Sequence, residues 1–132
     1  MKLTSRSMLQ AVLVGTGAIA VGTGTAVAIG GPGAIPGGGK VPASVDSVLR
    51  FYAVWWAACG VALLRAAPHV ERETAAVQSA CATMFLGGVA RLLAARSSGR
   101  PHPLFQTLTV VELVTTPALV GWQRSLAAAS AE

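Results

Sequence analysis

A chain of 132 residues holds one domain, and its composition is that of a membrane protein: 53% hydrophobic residues, 11% charged residues and a mean hydropathy of +0.61, where soluble domains carry about twice that charge. Four spans of about 20 residues with short connections use most of this length and exclude a sizeable soluble domain. The net charge of +5 comes from ten basic residues scattered singly between apolar runs, which excludes a nucleic-acid footprint and reads as membrane-flanking anchors.

The first span, residues 8–30, is uncharged and follows Lys2 and Arg6. Its small residues recur every fourth position in two ridges, Ala18, Gly22, Ala26 and Gly30 on one and Thr16, Ala20, Gly24 and Ala28 on the other. Such ridges let helices approach closely in a bilayer, where association rests on backbone packing, so this span is expected to pack against other helices. A competing reading makes it a signal peptide cleaved near Ala26-Val27-Ala28, but the apolar run exceeds the usual signal core. The stretch Gly15-Thr16-Gly17-Ala18-Ile19-Ala20 has the GxGxxA form of a dinucleotide-binding turn, yet lacks the strand before it and the acidic residue after it. Helix packing is the reading adopted for these glycines.

Repeated Gly and Pro across residues 30–43 forbid a continuous helix and predict a mobile linker. Ser44 or Asp46 is then placed to cap the second span, residues 46–66, which carries Arg50, Tyr52, Trp55 and Trp56 and stops before Pro68. A short connection makes the second and third spans an antiparallel hairpin. The third span, 74–95, is expected to hold Glu71 and Glu73 in its first turn, where the helix dipole favours negative charge, and Arg91 in its last third. After the turn Gly99-Arg100-Pro101-His102-Pro103 comes the fourth span, 104–123. Pro117 inside it removes one backbone hydrogen bond and predicts a kink near Glu112.

Glu112 is the most informative residue, because it lies within an apolar stretch where a carboxylate is costly unless paired or protonated. Up-down threading puts Asp46, Arg50, Arg91 and Glu112 towards the same side of the membrane, with Glu112 about 12 Å and Arg91 about 6 Å inside their helix ends at the helical rise. The expectation is one polar cluster in which Arg91 pairs with Glu112, while Arg50 pairs with Asp46 or joins them. A planar guanidinium suits both carboxylate oxygens and keeps its charge. Such pairs either lock helix register or form a ligand or proton site. Cys59 and Cys81 fall at similar depth, and packing is preferred to redox work because no CxxC or metal spacing is present. His69 and His102 lie in loops on opposite faces, so no metal site, cofactor or catalytic residue is assigned. Tyr52 and Trp122 read as interfacial anchors, with Trp55 and Trp56 reaching deeper.

Val45-Asp46-Ser47-Val48-Leu49-Arg50-Phe51-Tyr52, Gly87-Gly88-Val89-Ala90-Arg91, Gly99-Arg100-Pro101 and Glu112 together make a pattern that resembles the bacterial family of small four-span membrane proteins known as domain of unknown function 4345. The resemblance covers roughly residues 44–124, while the first span and linker match poorly. It implies four spans and signature positions at Asp46, Arg50, Gly88, Arg91, Arg100, Pro101 and Glu112. No activity comes with it.

The expected fold is therefore an all-α integral membrane protein, an antiparallel four-transmembrane-helix bundle forming a single membrane domain over residues 1–132. The first functional expectation is a non-enzymatic accessory or assembly subunit whose first span, through Gly22 and Ala26, binds a membrane-protein partner or another copy of the chain. The alternative is a ligand-handling bundle, a minimal transporter or an enzyme acting on a lipid or quinone-like molecule, with Glu112 accepting a proton or orienting the ligand and Arg50 and Arg91 holding an anionic head. The basic residues Lys2, Arg6, Arg65, Arg72 and Arg124, against Lys40, Arg96 and Arg100, favour both termini in the cytoplasm of a multi-pass protein in the cell (inner) membrane.

Overall fold

The computed structural model describes residues 4–131, which are helical apart from the connections between helices. Lys2, part of the charge asymmetry, lies outside the described residues. Four long helices follow one another: α1 (Ser5–Gly30), α2 (Ala43–Ala66), α3 (Thr74–Ser98) and α4 (Pro103–Ala129). Short 3-10 turns over Gly31–Ala34 and Ala67–His69 follow α1 and α2. The helices hold 24 to 27 residues, about 36–40 Å at the helical rise, and each is long and apolar enough to cross a membrane. The stretch from Gly15 to Ala20 is interior to α1, with no strand before it, so the dinucleotide-turn resemblance has no structural counterpart.

Local chemistry sets the helix ends. The Thr4 hydroxyl accepts the Ser7 N–H at 3.2 Å and opens α1. At the start of α2 neither Ser44 nor Asp46 caps, contrary to expectation; Pro42 occupies the cap position, and its carbonyl receives the N–H groups of Val45 and Asp46. The proline places the helix start earlier, so Asp46 falls within the first turn, where its carboxylate meets Arg50 instead. Glu71 and Glu73 also depart from expectation. Glu73 takes the cap position of α3 without a side-chain capping bond, and Glu71 stays in the preceding turn, paired with Arg6 of α1. His102 Nδ1 accepts the Leu104 N–H at 3.2 Å ahead of α4, and Pro103 fills the first helical position, where a missing N–H costs nothing. α4 runs unbroken through Pro117. The Thr115 and Thr116 hydroxyls donate to the Val111 and Glu112 carbonyls at 2.7 and 2.6 Å, one turn before.

The packing is uneven. α1 lies along α2 and α3 along α4, whereas α2 touches α3 and α1 touches α4 over shorter stretches. The α1–α2 seam is backbone on backbone: a methyl added at Gly24 would sit 2.7 Å from the Ala53 carbonyl oxygen, and one at Gly60 would sit 2.6 Å from that of Gly17. Trp56 Nε1 donates across the same seam to the Thr23 hydroxyl at 2.9 Å. The shared apolar core gathers at one end, where Leu9 and Leu13 of α1 meet Leu63 and Ala66 of α2, Val70 of the connection, and Val77, Ala80 and Cys81 of α3. Leu119, Val120, Trp122 and Leu126 of α4 pack against it. Cys59 and Cys81 are free thiols that serve here as small apolar packing groups.

Few residues of any of the four helices are fully buried within the molecule, and many large apolar side chains are exposed on its surface, where a bilayer would receive them. Phe51, Tyr52 and Trp55 of α2 and Val110 and Val114 of α4 belong to that surface. No buried side-chain nitrogen or oxygen among the described residues lacks a hydrogen-bond partner, as a low-dielectric surrounding demands.

Candidate functional site

Of the four charged residues expected in one cluster, the structure joins Arg91 to Glu112 and Arg50 to Asp46. No hydrogen bond among the described residues connects the two pairs. Arg91 Nε donates to Glu112 Oε2 at 3.0 Å, from α3 to α4. Gly88, one helical turn before Arg91, permits this meeting, because a methyl there would stand 3.0 Å from Leu113 Cγ and 3.2 Å from Glu112 Cβ. The Arg91 guanidinium also lies 5.3 Å from the centre of the Phe105 ring, a cation–π distance. Glu112 is 8% exposed, while the Arg91 side chain remains 37% exposed with its Nη groups unused by any neighbour among the described residues.

Arg50 does something different. Its Nε donates to both Asp46 oxygens at 3.0 and 3.2 Å, and Nη1 donates to the carbonyls of Ala28 and Ile29 at 3.1 and 2.6 Å. Those carbonyls belong to the last turn of α1 and have no partner within their helix. A cation there is also favoured by the helix dipole. Arg50 is thus the polar cap of α1, supplied by α2 and aimed by Asp46. Gly31 makes room for it: its φ is +63°, and a methyl on it would fall 2.4 Å from Arg50 Nη2. Arg50 thus pairs with Asp46 at the end of α1, apart from the Arg91–Glu112 pair.

The family model described as Domain of unknown function (DUF4345) matches residues 8–123. The chain belongs to that family. No curated protein and no solved structure matches the chain. The match begins within α1 and includes the linker, which corrects the expectation that the resemblance starts near residue 44.

Within this member of the family, Pro101 carries its carbonyl to the Gln106 side chain at 2.9 Å, and Arg100 stands exposed in the turn between α3 and α4. Gly22 and Ala26 lie on the exposed side of α1, and no heavy atom comes within 4 Å of a methyl built on Gly22. The ridge of Gly17, Ala20 and Gly24 is the one buried against α2. Among the described residues no group of three His, Cys, Asp or Glu stands close enough to hold a metal ion.

Sequence reasoning missed a polar stripe. The buried residues of α4 are Thr109, Glu112, Thr116 and Gln123, all polar, on the face turned inward. Their spacing of three, four and seven residues is itself the signal, one helical face of hydrogen-bonding groups on an otherwise apolar helix. Gln123 is fully buried and donates to the Val70 carbonyl at 3.1 Å and the Thr74 hydroxyl at 2.7 Å, pinning the α2–α3 connection to α4. Gln10 does the same from α1, donating to the Ala67 carbonyl at 2.9 Å. Outside the spans, Glu71 is held below its usual carboxyl range, first by a hydrogen bond from its own backbone and then by Arg6, against an opposing push from desolvation.

Proposed function

We propose that this multi-pass membrane protein is an accessory or assembly subunit of the cell membrane, with both termini cytoplasmic, that acts by lateral contact of its helices with a membrane-protein partner or a second copy. The observation that carries this reading is the second small-residue ridge of α1. Residues two apart on a helix point about 200° from each other, so Gly22 lies nearly opposite the seam formed by Ala20 and Gly24 and leaves a flat backbone approach on the outside. The decisive test is extraction of the tagged chain in a lipid-preserving polymer with mass spectrometry of what accompanies it, comparing wild type with Gly22→Leu. A stoichiometric protein companion or homo-oligomer that is lost in the variant, at unchanged melting temperature, supports the reading. Association that ignores the leucine counts against this face.

A second reading, ligand handling, is favoured by one observation: the half-open Arg91 guanidinium spends only its Nε on Glu112. With Arg50 occupied at the end of α1, this reading narrows to Arg91 and Glu112, the first to hold an anionic head and the second to take a proton or orient the ligand. A Glu112→Gln protein that folds normally but no longer retains a co-purifying lipid or small molecule supports it. Loss of folding alone favours a structural lock.

A further inference from the structure

The end of the molecule that carries the shared core also carries a depression of about 580 Å³ between the start of α1, the α2–α3 connection and the end of α4. Arg6, His69, Glu71 and Arg72 line it together with Ala127, Ser130 and Ala131 at the end of α4. Arg6 is fixed in place: its Nε donates to Glu71 and its Nη2 to the Pro68 carbonyl at 3.0 Å. The connection is fixed too, because the N–H groups of Arg72 and Glu73 both donate to the His69 carbonyl, at 2.9 and 3.0 Å. His69 and Arg72, both exposed, line the depression together with the anchored Arg6. Glu71 offsets one guanidinium, so among the described lining residues the charge of the other remains, with an imidazole beside it. Close by, Trp122 Nε1 donates to the Ser5 hydroxyl at 2.7 Å, an aromatic residue with a polar tip of the kind enriched at membrane–water interfaces.

We propose that this depression binds a phosphate group at the membrane surface, the headgroup of an anionic phospholipid, with Arg72 and His69 contacting the phosphate, Arg6 held by Glu71 as its back wall, and Ala127 and Ala131 against the start of the acyl chains. Arginine suits the task because its planar donors match phosphate oxygens in pairs. The site is separate from Arg91 and Glu112, which lie towards the opposite ends of α3 and α4.

The full chain in detergent doped with equal phosphatidylglycerol and phosphatidylcholine, read by native mass spectrometry, tests the proposal. The wild type is expected to retain phosphatidylglycerol in preference, and Arg72→Gln to lower that retention about fivefold, the effect of one basic residue near an anionic surface. Arg72→Lys, which keeps the charge but not the paired planar donors, should retain an intermediate amount, and Arg96→Gln, an exposed arginine at the other end, should change nothing. Millimolar inorganic phosphate separates the sources. If no lipid is selected but phosphate raises the melting temperature in an Arg72-dependent way, the site stands and its ligand is a soluble phosphate compound. Equal retention of both lipids with no phosphate effect overturns the proposal, as does a loss of retention in Arg96→Gln matching that in Arg72→Gln.

Discussion

At the scale of single residues, breaking the Arg91–Glu112 pair leaves whichever member remains without its partner on the other helix. Either loss is costly in an apolar surrounding, where a polar group that loses its hydrogen bond gains no water in exchange. Glu112→Leu and Arg91→Leu should therefore each cost on the order of 1–3 kcal/mol, with the double variant less than additive, as measured by denaturation in detergent. Gly31 makes a second case. Its positive φ and the Arg50 guanidinium pressed against it predict a loss of about 1–3 kcal/mol for Gly31→Ala, and a smaller increment when Arg50→Ala is already present. The prominence of Glu112 and its partner Arg91 was legible in the sequence, because a lone carboxylate in an apolar run must find a cation. The role of Arg50 was not, since a guanidinium bonding backbone carbonyls leaves no mark in residue type; nothing about Ala28 and Ile29 announces that their carbonyls need a donor.

At the scale of elements, the four helices were legible from apolar run length and from Gly and Pro punctuation, yet their exact ends were not. Pro42 fixed the start of α2 ahead of the side chains that looked like caps, because its carbonyl and fixed φ already serve the first turn. Two equivalent small-residue ridges on α1 posed a choice that periodicity alone cannot make. The choice falls to the partner surface: Ala53, Ala57 and Gly60 make one face of α2 small, while Phe51, Tyr52 and Trp55 fill its outward side. Gly24→Val should accordingly break the seam, since the obstacle at 2.7 Å is backbone and cannot swing away, at a cost of about 1–3 kcal/mol. A lowered melting temperature for Gly24→Val beside an unchanged one for Gly22→Leu would separate the two ridges.

At the scale of the whole molecule, contacts distant in sequence hold the core end together, among them Arg6 with Glu71, Gln10 with Ala67, Trp122 with Ser5 and Gln123 with Val70. The Glu71 carboxyl titrates below its usual 4.5 in the folded chain, so its contribution is complete at neutral pH and fades as the pH falls through that lowered value. The melting temperature of the wild type should drop on acidification below about pH 4.5 by more than that of Glu71→Gln, modestly so because the pair is partly exposed to water.

The pairing of α1 with α2 and of α3 with α4 bears on how such a chain is made. Synthesis delivers the first two helices before the last two exist, and their seam draws only on residues already emerged. The first hairpin is therefore able to complete its own packing in the bilayer while the second is still being translated. What remains for the end of synthesis is the docking of two finished halves, and the residues that decide whether it succeeds are those of the connection itself, with Val70 gripped by a glutamine from the last helix to be born.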